Sequence, residues 1–229
     1  SYGGNSSSVA SSLTSGVTKI YSQKAVFAAL KSDGSVVTWG SNSTGGDSSS
    51  VASSLTSGVT QIYSNQRAFA ALKTDGTVVT WGYRDFGDSS SVASSLTDVI
   101  SITPAVTAFA ALKSDGTVVT WGKDISEIDY QNYDQSVALN SGADSSLVAS
   151  SLTDVISITA SFNYQWPQTK SAFAALKTDG SVVTWGNNSF GGDSSSVASS
   201  LTSGVTQIYS NTNDYGAGVF AALKSDGTV

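Results

Sequence analysis

The sequence predicts an all-β repeat protein, and three observations carry that reading. The stretch Phe27–Gly40, FAALKSDGSVVTWG, returns at 69–82, 109–122 and 173–186, and a fifth time in shortened form at 220–229. Only Ser/Thr exchanges separate the copies. Each copy reads as a β-hairpin, with an apolar run, an Asp-Gly turn whose tight geometry needs positive φ, and a β-branched and aromatic Val-Val-Thr-Trp strand. The turns fall at Asp33, Asp75, Asp115, Asp179 and Asp226, spaced 42, 40, 64 and 47 residues apart. A basic period near 40 residues, stretched by insertions, marks a repeat architecture. Cutting after each Trp-Gly gives repeats 1–40, 41–82, 83–122, 123–186 and 187–229, within one repeat domain of 229 residues.

Each repeat opens with a Ser-rich segment such as Asp47–Leu55. Asp is a good N-cap, Val51 and Leu55 are spaced to share one helical face, and Gly58 suits a helix end, so a short helix is expected. Because Ser is a poor helix former, an extended outer segment is the alternative. A strand follows, as in Val59–Tyr63 or Val99–Thr103, then a first variable segment, the hairpin, and a second variable segment. This makes three strands per repeat.

Antiparallel connectivity then fixes where the variable segments go. If the first strand runs up, the hairpin runs down to Asp-Gly and up again to Trp-Gly. Both variable segments therefore emerge at one end and the uniform turns at the other. The first segment is short in repeats one to three, and grows to Ala160–Ala172 and Ser210–Val219 in repeats four and five. The second is Ser41–Gly46, Tyr83–Gly87, the long Lys123–Ala143, and Asn187–Gly192. The two longest insertions, 123–143 and 160–172, are expected to meet in one raised patch.

Composition narrows the function. There is no Cys, His or Met, which removes disulfides, thiolate metal sites and the usual catalytic triads. Of the 17 carboxylates 16 are Asp, which is turn chemistry, against 11 Lys+Arg. No basic stripe suits nucleic acid, and no apolar run approaches the ~20 residues that span a bilayer. The opening Ser-Tyr-Gly-Gly reads as a turn rather than a signal peptide. Ser/Thr/Gly/Asp-rich, Cys-free repeats have the look of secreted or surface-displayed bacterial material.

The repeated residues have plain structural roles. Trp39, Trp81, Trp121 and Trp185, fixed in every third strand, read as core rather than as sugar platforms. The repeated Lys residues read as a solvated edge. The Asp-Gly aspartates lack the spaced carboxylates of a calcium loop, so no metal or other cofactor is expected. A glycosidase pair among Asp85, Asp124, Glu127, Asp129, Asp134 and Asp214 is not specified by any spacing.

The variable segments carry recognition chemistry instead. Ten of the 22 aromatics lie there, among Asn, Ser, Gln, Gly and Asp. Rigid aromatic area beside small polar groups is the chemistry of binding surfaces. The candidate ligand-binding residues are Tyr83, Arg84, Asp85, Asp124, Tyr130, Tyr133, Phe162, Tyr164, Trp166, Lys170, Asp214 and Tyr215, with Tyr164 and Trp166 as anchors. For Phe86 and Phe190, at matching positions, packing beneath the Gly turn and display are both open.

The pattern A-F-A-A-L-K-x-D-G-x-V-V-T-W-G, followed by a Gly-Gly or Gly-Asp turn, resembles the regulator-of-chromosome-condensation type of β-propeller repeat. That family's blades carry an A-L-x-x-x-G-x-V-x-x-W-G core, and the match covers all five repeats. The resemblance implies a β-propeller type of repeat protein, with blades of about 40 residues. Family propellers usually have seven blades, against four full hairpins and one shortened one here. The family's His before Ala-Leu is Phe or Ala here, and its Gly-Gln-Leu-Gly turn is Gly-Gly-Asp. No nucleotide-exchange or chromatin residue carries over. Bacterial relatives include a propeller that inhibits β-lactamase through one loop face, which implies a binding role.

The expectation is therefore a non-enzymatic, extracellular or cell-surface binding module for a protein or glycan, with no nucleic-acid partner and no membrane span. A structural protein whose repeats self-associate into a filament, sheath or lattice is the alternative. An excerpt of a longer array, a five-bladed ring and an open stack all fit the ends of the sequence.

Overall fold

A computed structural model describes residues 3–123, 142–163, 170–211 and 218–229. The chain divides into two compact units, Ser1–Ile102 and Thr103–Val229. Fourteen strands are described: β1 (Val17–Gln23), β2 (Val26–Lys31), β3 (Val36–Gly40), β4 (Val59–Ser64), β5 (Ala68–Lys73), β6 (Val78–Gly82), β7 (Val99–Pro104), β8 (Ala108–Lys113), β9 (Val118–Gly122), β10 (Val155–Asn163), β11 (Lys170–Lys177), β12 (Val182–Gly186), β13 (Val205–Asn211) and β14 (Val219–Lys224). They make four three-stranded antiparallel sheets in sequence order, and a two-stranded sheet of β13 and β14. The expected three strands per repeat are thus found in four of the five.

The hairpin turn differs in detail from the expected one. Gly34 alone takes the left-handed conformation, at φ 76°, and Asp33 does not. Its N–H donates to the Lys31 carbonyl at 2.9 Å, while Lys31 N–H donates to Ser35 at 2.9 Å. This is a longer loop closed by a left-handed Gly rather than a two-residue turn. The role of Asp is to accept, from the Ser35 N–H at 2.9 Å and from its hydroxyl at 2.7 Å.

The first strand carries a bulge one residue in, between Val17 and Lys19, and likewise at Val59/Gln61, Val155/Ser157 and Val205/Gln207. Thr18, Thr60 and Thr206 occupy it and donate their hydroxyls to the Leu carbonyl of the neighbouring strand at 3.1, 3.1 and 3.2 Å. In repeats three and four Ile100 and Ile156 follow the first Val and stand more than half exposed.

The Ser-rich segments are 3₁₀ helices, at Ser7–Leu13, Ser49–Leu55, Ser90–Ser95, Ser146–Ser151 and Ser195–Leu201. This corrects the register of the expected cap: Ser48 is the N-cap, with no side-chain cap bond, and Asp47 before it accepts the Ser49 N–H at 2.9 Å. Rows of Ser that compete for backbone hydrogen bonds, with a single Leu at or just after the end (Leu55, Leu96 and Leu152 are buried, Leu13 and Leu201 half-buried), favour this tighter helix over an α-helix.

The core forms between successive sheets. In the first compact unit one face of β2 (Val26, Ala28, Leu30) is buried together with Phe69, Ala71 and Trp81 of the next sheet, and with Leu55 and Val59. In the second, Ala108, Ala110 and Leu112 of β8 are buried together with Phe173, Ala175 and Trp185. Within each unit one hairpin thus offers a thin Ala-rich face to the thick Phe/Trp face of the next. Within the hairpin, Phe and Trp are cross-strand partners and stack at 5.1 to 5.2 Å between centroids in four repeats.

The repeats are also hooked together at the turn end. The Gly34 carbonyl accepts the Val59 N–H and Gly76 accepts Val99, both at 3.0 Å, and Gly116 accepts Val155 at 2.9 Å. No helix among the described residues is long and apolar enough to cross a membrane.

This packing has two measurable outcomes. Trp81→Ala removes an indole that is 5% exposed, and should cost about 3–5 kcal/mol in urea denaturation. A loss below about 1 kcal/mol would place Trp81 outside the core. Second, nine aspartates (33, 47, 75, 88, 115, 144, 179, 193 and 226) have their carboxyls held below the usual 3.8 by hydrogen bonds from the Ser or Thr two residues on. A carboxyl depressed in the folded state stabilises fully above its ordinary value and loses that contribution as pH falls through its folded value. Melting temperature should therefore stay level down to about pH 5 and drop below about pH 4.

Candidate recognition site at the variable-segment end

The variable segments on either side of each hairpin are tied to one another by backbone. The residue after Trp-Gly donates its N–H across to the loop preceding the hairpin: Ser41 to Ala25 (3.0 Å), Tyr83 to Arg67 (2.8 Å), Lys123 to Thr107 (3.1 Å) and Asn187 to Ser171 (2.9 Å). The two variable segments of a repeat therefore share an end, opposite the Asp-Gly turns, as connectivity requires.

The segments flanking the second hairpin show what such an end is made of. Asn65 is buried and bridges both segments. Its side-chain amide donates to the Phe86 carbonyl at 2.9 Å, and its oxygen accepts the N–H groups of Arg67 and Ala68 at 3.0 and 2.8 Å. Arg84–Gly87 forms a single α-helical turn that places Phe86 inward, 6% exposed, and leaves Tyr83 36% exposed. The two rings meet edge to face at 5.3 Å. The Arg67 guanidinium lies 5.4 Å from the Tyr83 ring centre and 5.8 Å from that of Phe86. An Arg held near aromatic rings is attracted by their quadrupole, which steadies the cation at this end.

Of the expected ligand-binding residues, Tyr83 and Arg84 are exposed on this end and Asp85 is half-buried. Phe162 and Lys170, expected in a loop, belong instead to the lengthened β10–β11 ladder, where Phe162 pairs with Ser171 and Asn163 with Lys170. Both are half-buried. Strand pairing thus consumes both flanks of the 160–172 insertion, because each flank continues the antiparallel register. Asp124, Tyr130, Tyr133, Tyr164, Trp166, Asp214 and Tyr215 lie outside the described residues, and so does the expected meeting of the two insertions. Phe190, like Phe86, is buried, at 5% exposure, so both pack under the loop rather than display.

Arg67 was not among the expected residues. A usable signal existed: the sequence holds two Arg residues, 67 and 84, and both fall in the variable segments that flank the second hairpin. Among the described residues no group of three or more carboxylates could hold a metal ion.

No protein-family model matches the chain, and no curated protein matches it. Solved structures do. Human WBSCR16 is similar over 92% of this chain and 60% of its own length, at 16% identity and a TM-score of 0.50. The complex of Kap60 with yeast RCC1 (Prp20) gives 92%, 54%, 16% and 0.48 for the same quantities. Prp20p from Saccharomyces cerevisiae, described with its binding properties to Gsp1p and histones, gives 76%, 45%, 18% and 0.45. The chain spans between 45% and 60% of the length of these structures. It is a mostly β chain of small three-stranded antiparallel sheets, similar in fold to human WBSCR16.

Asn65→Ala removes a buried side chain that holds two loops at once. It should lower stability by about 1–3 kcal/mol, because the Phe86 carbonyl and two N–H groups lose their partner. It should also speed hydrogen exchange at 83–88 while leaving β5 protected. Equal acceleration throughout the sheet would show that Asn65 serves the fold and not the loop end.

Proposed function

We propose that this chain is a non-enzymatic binding module that recognises a protein partner through its variable-segment end. The observation that carries the reading is the contrast between the ends of a repeat. The turn end repeats Lys-Ser/Thr-Asp-Gly in every copy, whereas the opposite end changes in length and chemistry from copy to copy. Selection that preserves one end and diversifies the other fits a scaffold presenting a recognition surface.

The Arg67–Tyr83–Phe86 cluster, with Arg84 exposed beside it, gives this surface a cationic, aromatic character in a protein of net charge −6. Arg and Tyr are the residues that dominate binding hot spots. The partner chemistry that fits is an acidic protein segment, whose carboxylates pair with the exposed Arg84 guanidinium while its apolar neighbours rest on Tyr83. A secreted or surface location suits the Cys-free, Ser/Thr-rich composition. A glycan would use the same Tyr face without the charge.

The test compares the two ends on arrays of proteins and glycans. The double variant Tyr83→Ala/Arg84→Ala, and a separate variant in which 124–141 is cut to the length of Tyr83–Gly87, should fold and lose at least tenfold in binding. Lys31→Ala/Lys73→Ala at the turn end should bind as the parent does. The reverse pattern would move the recognition surface to the turn end. Retention of glycan binding at raised salt with loss of protein binding would replace the acidic-protein partner by a carbohydrate.

A further inference from the structure

The loops before the second and third hairpins close in the same way. Asn65 donates its N–H to the Ala68 carbonyl at 3.0 Å, and Ala105 donates to that of Ala108 at 2.9 Å. The second position of the loop is Gln66 in one and Val106 in the other. Both are buried, at 8% and 0% exposure. A place so buried suits an apolar side chain, and Val106 is one.

Gln66 departs from that rule at a cost. Its side-chain oxygen is shut off from solvent and has no hydrogen-bond partner among the described residues. A buried acceptor left unpaired loses its hydration and gains nothing in exchange, so its presence in a native chain calls for a cause. Two other amides at the loop ends of the first unit show what a structural cause looks like. Gln23 also buries an unpaired oxygen, but its nitrogen donates to the Thr44 carbonyl and so ties two segments together. Asn65 uses both ends of its amide, on Phe86 and on the N–H groups of Arg67 and Ala68. The Gln66 nitrogen makes no such bond among the described residues, and it is the end of the amide that is not closed off.

Gln66 stands between Asn65, which pins the 83–87 segment through Phe86, and Arg67, whose guanidinium lies beside the Tyr83 ring. It therefore shares a loop with the cation–aromatic cluster, and an end of the sheet with the exposed Tyr83 and Arg84. On the reading of this end as the recognition surface, we infer that Gln66 is one of its recognition residues. Its side-chain N–H groups donate to an oxygen of the acidic protein segment, and the buried oxygen is the stability given up for that contact. An acidic segment is rich in acceptors, since carboxylates and backbone carbonyls are both available. Charge draws such a segment in, and an amide donor with its narrow angular range fixes which oxygen it meets.

Gln66→Val and the near-isosteric Gln66→Met both remove the buried oxygen. At least one should raise the melting temperature by about 2 °C or more, because an apolar group replaces an unpaired acceptor in an apolar place. If neither does, the amide serves the fold and the inference is overturned. For binding, the probe is a display library of random dodecapeptides selected on the parent chain. Selected peptides that lose binding to Tyr83→Ala/Arg84→Ala belong to this end. They should be acidic, and should bind both Gln66 variants about tenfold more weakly than the parent. Equal binding to the parent and the Gln66 variants, with loss on Tyr83→Ala/Arg84→Ala, overturns the role of Gln66 and leaves the recognition surface standing. Selected peptides that are all indifferent to Tyr83 and Arg84 overturn the recognition surface itself, and Gln66 with it.

Discussion

The stack of Phe on Trp across each hairpin is the contact on which the rest of the structure depends. Two large rings side by side make one face of a sheet thick, so the facing sheet must be thin. The chain meets this with alternating Ala on β2, β5, β8 and β11, whose residues Ala28, Ala70, Ala110 and Ala174 are at most 1% exposed. Adding even a methylene there would push the next Trp out of its slot, since close-packed interiors do not absorb extra volume cheaply. The indole N–H is a second demand, because it must find an acceptor when buried. Gly45 and Gly142 supply one by bringing bare backbone against the rings. Trp121 is buried with no hydrogen-bond partner for its N–H among the described residues.

The repeat and its core were legible because their signals are redundant. Four near-identical copies of Phe-Ala-Ala-Leu and Val-Val-Thr-Trp leave one way to bury Leu and Trp together. The Asp-Gly site was legible as a turn, but its φ values were not: the same dipeptide serves a two-residue turn or a longer loop, and the choice lies in hydrogen bonds between Lys31, Gly34 and Ser35 that no single residue announces. The 3₁₀ form of the Ser-rich segments was hidden for a similar reason. Seven residues with one buried Leu carry too little periodicity to distinguish 3.0 from 3.6 residues per turn.

The candidate site was read less well than the scaffold. Connectivity correctly put both variable segments of a repeat at one end, because antiparallel strands allow nothing else. Segment boundaries were another matter. Phe162 and Lys170 looked like loop because they depart from the repeat, yet a β-ladder continues wherever backbone groups can pair, whatever the side chains. Arg67 went unnoticed for the opposite reason: its segment is short, and its importance comes from Tyr83 and Phe86, far along the sequence and brought near by the hairpin.

The Gly that ends each third strand has a consequence beyond the single repeat. Gly40, Gly82, Gly122 and Gly186 leave the sheet at φ between 106° and 120°, and a Cβ on any of them would strike the backbone of the residues before the hairpin at 2.3 to 2.7 Å. The chain therefore leaves each of the four three-stranded sheets with the same backbone turn before the first variable residue is reached. Each second variable segment, whether the short 41–46 or the long 123–143, starts from a common launch point that owes nothing to its own sequence. For an evolving gene this makes segments interchangeable: one can be lengthened, shortened or copied between repeats by recombination at the Trp-Gly codons, and the sheet behind it has no need to adjust.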